Sequence, residues 1–444
     1  MGHSNLRKTN LRFSRRKSLQ PPEAIEKTLE GEEILARTGI SSYARWFGPA
    51  IIAAVAYIDP GNFGTDIGAG ASFGYLLLWS VLLANLMGMI LQYLSGKLGL
   101  ATEKSLAEHV RESLGSRSRI VPYWLGSEVF AVFTDLAEFL GVTSAVYLLS
   151  GGAIPLIVAS WISAFDVIVV FALAGRKFRR IELIITMLVF GVCLGYVYEI
   201  FVTRPSASLV ARGLVIPTLT SNAQLTLVVG IIGATVMPHV LVLHSSLTKQ
   251  KALGMNPAQK KRLLNLHRWD TIINLTIAGL VNMAILMMAA AAFFAEKINV
   301  PTINAAYSTL VPLFGVAAGV VFAVTLLCSG WSSSTVGVLA GQAILEGLLG
   351  SKVNPWFRRI IIRVINVVPT SFALLLGYNP LILLIYSQVA LSLLIPLPLI
   401  PLIYYTSKRK FMGSFVNRHS ITVLAVATAA TIVLLNIALL YTTL

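Results

Sequence analysis

The chain has 444 residues, of which 56% are hydrophobic and only 12% charged, roughly half the charge of an ordinary soluble domain. A soluble fold of this size has too little interior to hide that much apolar surface, so the composition indicates an all-α polytopic membrane protein. The formal net charge of +16 would ordinarily raise a nucleic-acid partner, and the distribution of the cations argues against one.

Residues 1–43 are polar and basic, with no apolar core of a cleavable leader, and are expected to form a cytoplasmic tail. Apolar runs long enough to cross the hydrocarbon layer follow at about 44–72, 75–96, 120–149, 152–174, 182–203, 221–247, 269–295, 305–349, 360–377, 380–405 and 420–442. With the N-terminus inside, the 35 Lys and Arg all fall on the inner side except Arg204, Arg212 and Lys297. This is the positive-inside pattern, and it assigns the charge to topology and anionic headgroups. The odd number of spans then leaves the C-terminus outside.

The first run is interrupted by Asp59-Pro60-Gly61-Asn62, a turn string in the middle of an apolar stretch. The sixth is interrupted between Gly230 and His239, at Met237-Pro238-His239. Backbone opened at membrane depth is tolerated only where it lines a cavity or is buried in protein. The breaks open two sets of five spans each, so the second set enters the bilayer from the opposite face. That arrangement predicts an inverted five-plus-five repeat, 44–203 and 221–405, with a substrate site at the midplane. The run 420–442 falls outside the repeat and reads as a packing helix.

The residues at the breaks suggest the cargo. Asp59 offers a carboxylate, Asn62 an amide oxygen, and unwinding frees backbone carbonyls. Oxygen alone would suit Na⁺, Ca²⁺ or Mg²⁺; the Met237 thioether favours softer first-row divalent metals. Pro60, Gly61 and Pro238 are read as permitting the breaks. The third span carries Glu128, Asp135 and Glu138 at relative positions 0, 7 and 10, which share one helical face. Arg358, Arg359 and Arg363 in the ninth span are candidate counter-charges, with surface anchoring the alternative for the first two. A stripe of acids balanced between burial and guanidinium partners can pass a proton on. His239, just after the second break, suits transfer or gating.

Gln92, Asn282 and Gln388 are amides in apolar runs and are expected to bond between helices. Asp270 reads as a surface or gating charge, His244 and Asp166 have no assignment, and Cys193 and Cys328 read as packing residues.

The strings Asp59-Pro60-Gly61-Asn62 and Met237-Pro238-His239 resemble the signatures of the Nramp family of divalent metal transporters, whose bacterial members are MntH-type importers. So do the runs Thr134 to Gly141, Gly230 to Thr248 and Ser329 to Gly337, in the same order along the chain. The resemblance implies a LeuT-like 5+5 fold with broken helices 1 and 6 plus an eleventh helix. It further implies import of Mn²⁺ or Fe²⁺, with Co²⁺, Zn²⁺ and Cd²⁺ as further cargoes, coupled to protons by alternating access. Metal contacts from Asp59, Asn62, Met237 and the Ala234 carbonyl, with Gln388 as an added oxygen, are implied too. Asp135, Glu138 and Arg358 or Arg359 are then expected along the proton route.

A bacterial inner membrane is the expected location, with no resident cofactor and no obligate protein partner. The rival readings are a sodium-coupled organic-solute symporter, whose anionic substrate Asp59 would repel, and a Mg²⁺-transporting relative, which Met237 argues against. An enzyme would need a ligand set such as HExxH, and the histidines lack that spacing.

Overall fold

The computed structural model describes residues 54–165, 178–295, 303–351 and 354–443. All the regular structure in these residues is helical. In chain order the helices are α1 (Pro60–Phe73), α2 (Leu78–Thr102), α3 (Leu106–Leu114), α4 (Arg117–Leu149), α5 (Leu156–Ser163), α6 (Phe178–Thr203) and α7 (Ala207–Val215). There follow α8 (Asn222–Val236), α9 (Pro238–Ala252), α10 (Pro257–Ala289), α11 (Ile303–Phe314), α12 (Val316–Leu349), α13 (Pro355–Leu375), α14 (Pro380–Leu394), α15 (Pro396–Ser407), α16 (Arg409–Met412) and α17 (His419–Thr443).

Each expected apolar run is largely helical where it is described, the main departures being 57–59, 152–155, Met237 and Gly315. The opening of the first run and the second half of the fourth lie outside the described residues, as does Asp166. Among the described residues, eight helical stretches are long and apolar enough to cross a membrane, three of them holding a break or a turn. The run 305–349 differs from expectation: it divides into α11 and α12 at Gly315, whose φ of +90° is open to glycine and strained for other residues.

The two broken helices sit at the centre. α8 and α9 are the most enclosed stretch of apolar helix, and α1 is buried from Pro60 to Ile67. α1 is held between α8, α10 and α14. α4 and α12 pack along one another beside it, and α6 lies against α12. Close approach depends on glycine: a Cβ on Gly141 of α4 would strike the Pro60 ring, and one on Gly233 of α8 would strike the Gln388 carbonyl of α14.

α17 packs on α8, α15, α14 and α2, as a packing helix should. Its Asn436 donates to the Ser392 carbonyl (2.8 Å) and accepts from the Ser392 hydroxyl (2.9 Å). Cys193 and Cys328 are free thiols.

Candidate functional site

Each break follows from a proline. Pro60 and Pro238 have no N–H, so the carbonyls four residues earlier, Ala56 and Ala234, lose their helical donors. At the first break the chain is unwound from Tyr57 to Asp59. The freed carbonyls are taken up by side chains from other helices: Asn282 of α10 donates to the Tyr57 oxygen (2.8 Å), and Ser329 of α12 to the Ile58 oxygen (2.8 Å). At the second break a single residue, Met237, separates α8 from α9 at φ +37° and ψ 102°.

The breaks face one another. Asn62 Nδ2 lies 3.3 Å from the Ala234 carbonyl oxygen, and the Thr235 hydroxyl donates to Asn62 Oδ1 at 3.1 Å. Met237 is fully buried in a cluster with Val55 and Ala56, on the approach to the first break.

Asp59 divides its two oxygens. Oδ1 caps α1, accepting from the Asn62 N–H (2.8 Å) and from Asn62 Nδ2 (2.7 Å). Oδ2 is buried without a hydrogen-bond partner, and so is Gln388 Oε1. A Cβ on Gly61 would collide with the Gln388 amide and come within 2.8 Å of Asp59 Oδ2, so all three share one small space. Four of the sequence-derived positions therefore converge, Asp59, Asn62, Ala234 and Gln388, and Met237 stands at the second break, three residues beyond Ala234. This set has a single acid, and among the described residues no three His, Cys, Asp or Glu side chains cluster as a metal centre.

The acid stripe runs from this point toward the loop between α2 and α4. Glu138 accepts from the Ser333 hydroxyl (2.9 Å) and faces Gly337. Asp135 accepts from Asn366 (2.7 Å), with Arg363 Nη2 3.6 Å away. Glu128 pairs with Arg358 at 2.5 Å and accepts from the Trp124 indole (2.9 Å). His239 bonds Thr134 through Nδ1 (3.1 Å), while its Nε2 has no partner. Thr134, Asp135, Glu138, His239 and Arg358 line one narrow cavity. Arg358 is thus a buried partner of an acid and not a surface anchor; the side chain of Arg359 lies outside the described residues.

Asp270, expected at a surface or gate, is instead buried, with Asn274 donating to Oδ1 (2.7 Å). His244 is bonded to Gln92 (2.9 Å) and sits edge-on to His267. The sequence reading missed Thr235, Ser329, Ser333 and Asn366 as supports. Small polar residues inside apolar helices were the available signal. It also missed Asp66 and Glu199, acids inside apolar runs.

Paired discontinuous helices that meet at the centre of a bundle of apolar helices define a membrane-protein fold of the broken-helix kind. The family model for natural resistance-associated macrophage protein-like proteins matches residues 50–442, and the chain belongs to the Nramp family. It is 41% identical over 404 residues to a protein of Chromohalobacter salexigens named divalent metal cation transporter MntH, covering 90% of this chain and 92% of that one. A Bacillus subtilis protein of the same name is 37% identical over 95% of this chain and 96% of its own length. The crystal structure of the Eremococcus coleocola manganese transporter, 30% identical, superposes with a TM-score of 0.82 over 90% of this chain and 87% of that one. Mhp1, a nucleobase-cation-symport-1 family transporter, shares the fold at 15% identity and a TM-score of 0.57, covering 89% of this chain and 92% of its own. The fold is the LeuT-like inverted repeat with helices 1 and 6 broken.

Proposed function

We propose that this protein imports divalent transition-metal ions, Mn²⁺ and Fe²⁺ foremost, across a bacterial inner membrane, coupled to protons by alternating access. The ion is held by Asp59 Oδ2, Asn62 Oδ1, the Ala234 carbonyl, Met237 Sδ and Gln388 Oε1. The observation that carries this reading is the contact of Asn62 with Ala234 and Thr235, which joins the two breaks beside two unpartnered oxygens. Binding then needs only a rotation of the Asn62 amide, which here turns its nitrogen toward Asp59 and Ala234. Relatives covering nearly all of the chain carry the name divalent metal cation transporter, which supports the same cargo class.

Coupling follows from charge. A dication beside Asp59 disfavours the protonated carboxyl, so a proton on it moves to the acid stripe, with His239 and Glu138 the first acceptors. Asp135, Arg363, Glu128 and Arg358 continue the route toward the inner face. A negative-inside potential adds ~2.3 kcal/mol per charge per 100 mV to inward movement of ion and proton alike. The two repeats, 44–203 and 221–405, rock against one another about the fixed site, with 1–43 as a cytoplasmic tail and the C-terminus outside.

Proteoliposomes carrying a metal-sensitive dye and a pH dye test this. Asp59→Ala should abolish both Mn²⁺ uptake and Mn²⁺-stimulated acidification. Wild-type Mn²⁺ uptake in Asp59→Ala would overturn the site; lost uptake with intact proton entry would remove Asp59 as proton acceptor.

A further inference from the structure

Two carboxylates that the proposed mechanism does not use lie between the broken helix and the opposite surface. Asp66 is on α1, two turns beyond Asp59, and Glu199 is on α6, one turn before its end. Both are 0% exposed, and all four of their oxygens lack a hydrogen-bond partner. Neither forms an ion pair with a described cation. The Tyr196 hydroxyl, 2% exposed, likewise has no partner within hydrogen-bond distance, and Tyr196 lies one turn before Glu199 as Phe63 lies one turn before Asp66. Tyr196 is fixed edge-on to Phe63 of α1, ring centroids 5.4 Å apart, and Phe322 closes the aromatic wall.

The topology sets this cluster on the far side of the break from the acid stripe. α1 runs into the short 3₁₀ turn Gly74–Leu77, and α7, which follows α6, packs on that turn. The ends of α1 and α6 therefore meet at one surface. Asp66 lies seven residues from Asp59, about 10 Å at helical rise and about 20° from the same face. The face that carries Asp59 and Asn62 thus continues outward to Asp66.

We propose a second, outer cation site formed by Asp66, Glu199 and the Tyr196 hydroxyl, which takes a divalent cation before it passes to the break. Two carboxylates match a double charge, and such a charge satisfies every orphaned oxygen at once. The donors are all oxygen, so this site accepts Ca²⁺ and Mg²⁺ alongside Mn²⁺, and selection falls to the thioether further in. Its role in approach rests on the transport reading; its capacity to bind does not.

Equilibrium Mn²⁺ binding to the purified full-length protein tests the proposal, with Ca²⁺ as competitor. Wild type should bind two Mn²⁺ per chain. The double variant Asp66→Asn, Glu199→Gln should bind one, insensitive to Ca²⁺, while Asp59→Ala, Met237→Ala should keep one that Ca²⁺ displaces. In crystals soaked with Mn²⁺, the outer anomalous peak should touch Asp66 and Glu199. In uptake, the outer-site double variant should raise KM about tenfold with kcat retained, as expected for lost local enrichment of the ion. A single bound Mn²⁺ in wild type, or equal stoichiometry in wild type and the outer-site variant, overturns the second site. Unchanged KM with the second ion lost overturns its role in approach. Absence of transport in every form would sink the functional reading while leaving the binding result standing.

Discussion

A methionine held at φ +37° is a costly way to end a helix, because a side chain at positive φ crowds its own backbone, typically by ~1–3 kcal/mol. Glycine would relieve that crowding, and its absence here argues that the side chain at 237 is required. Met237→Ala keeps the strain and removes the thioether with its flanking carbons. It is expected to weaken apparent Mn²⁺ affinity about tenfold, the equivalent of ~1.4 kcal/mol, and to let Ca²⁺ compete for the site. Uptake measured against rising Ca²⁺ checks this: a variant no more sensitive to Ca²⁺ than wild type would show that sulfur does not select the ion. Ala234 is the complementary case. In the proposed site its carbonyl is the ligand, left without a helical donor for a reason written four residues later in Pro238. At Asp59 a helix cap is compatible with the proposed ligand role, since Oδ1 caps α1 and Oδ2 is left unpartnered.

α12 illustrates how one helix serves two partners. Its Ser329 and Ser333 donate to the first break and to Glu138. Its Gly337 and Gly341 open a groove in which the Glu138 carboxylate and the Arg358 guanidinium lie. A Cβ on Gly341 would overlap that guanidinium, and a flexible arginine end can move away. Gly341→Ala is therefore expected to fold and bind Mn²⁺ as wild type does, while separating Arg358 from Glu128 and slowing metal-stimulated proton entry severalfold. Parallel metal and pH readouts check it; proton entry unchanged beside a displaced Arg358 would remove that pair from the route. The glycines were visible in the sequence, but the side chains that fill the space they leave come from other helices.

At the scale of the molecule, α3 links the ends of several spans. Glu108 bonds Lys249 of α9 (2.7 Å), and His109 bonds Thr102 of α2 (2.9 Å) and stacks on Tyr405 of α15. Burial lowers the His109 pKa and is only partly offset by Glu112 and Glu108. Burial would raise Glu108, but hydrogen bonds from Lys249 and Ser105 with the Lys249 charge outweigh it, and the net shift is downward. Both groups bind fewer protons folded than unfolded, so both favour the docked helix less as pH falls. The histidine contribution is lost below about pH 6.5 and that of Glu108 below about pH 4.3. Hydrogen-exchange protection of residues 105–114, corrected for intrinsic rates, should fall between pH 7 and 5 in wild type and stay level over that range in His109→Gln. An equal slope in both forms would assign the effect elsewhere.

The sequence by itself determined the helical class, the spans, the two breaks and the acid stripe, because each is a local consequence of composition, proline chemistry or helical period. The two acids outside those patterns, Asp66 and Glu199, were just as visible and went unread, since no motif joins residues on different helices. Only the tertiary structure decided that the breaks touch, that Gln388 reaches Asp59, that Arg358 pairs with Glu128, and that Asp270 is buried. Those are contacts between segments a hundred or more residues apart, or burial by them, and they depend on packing directions that no single helix encodes.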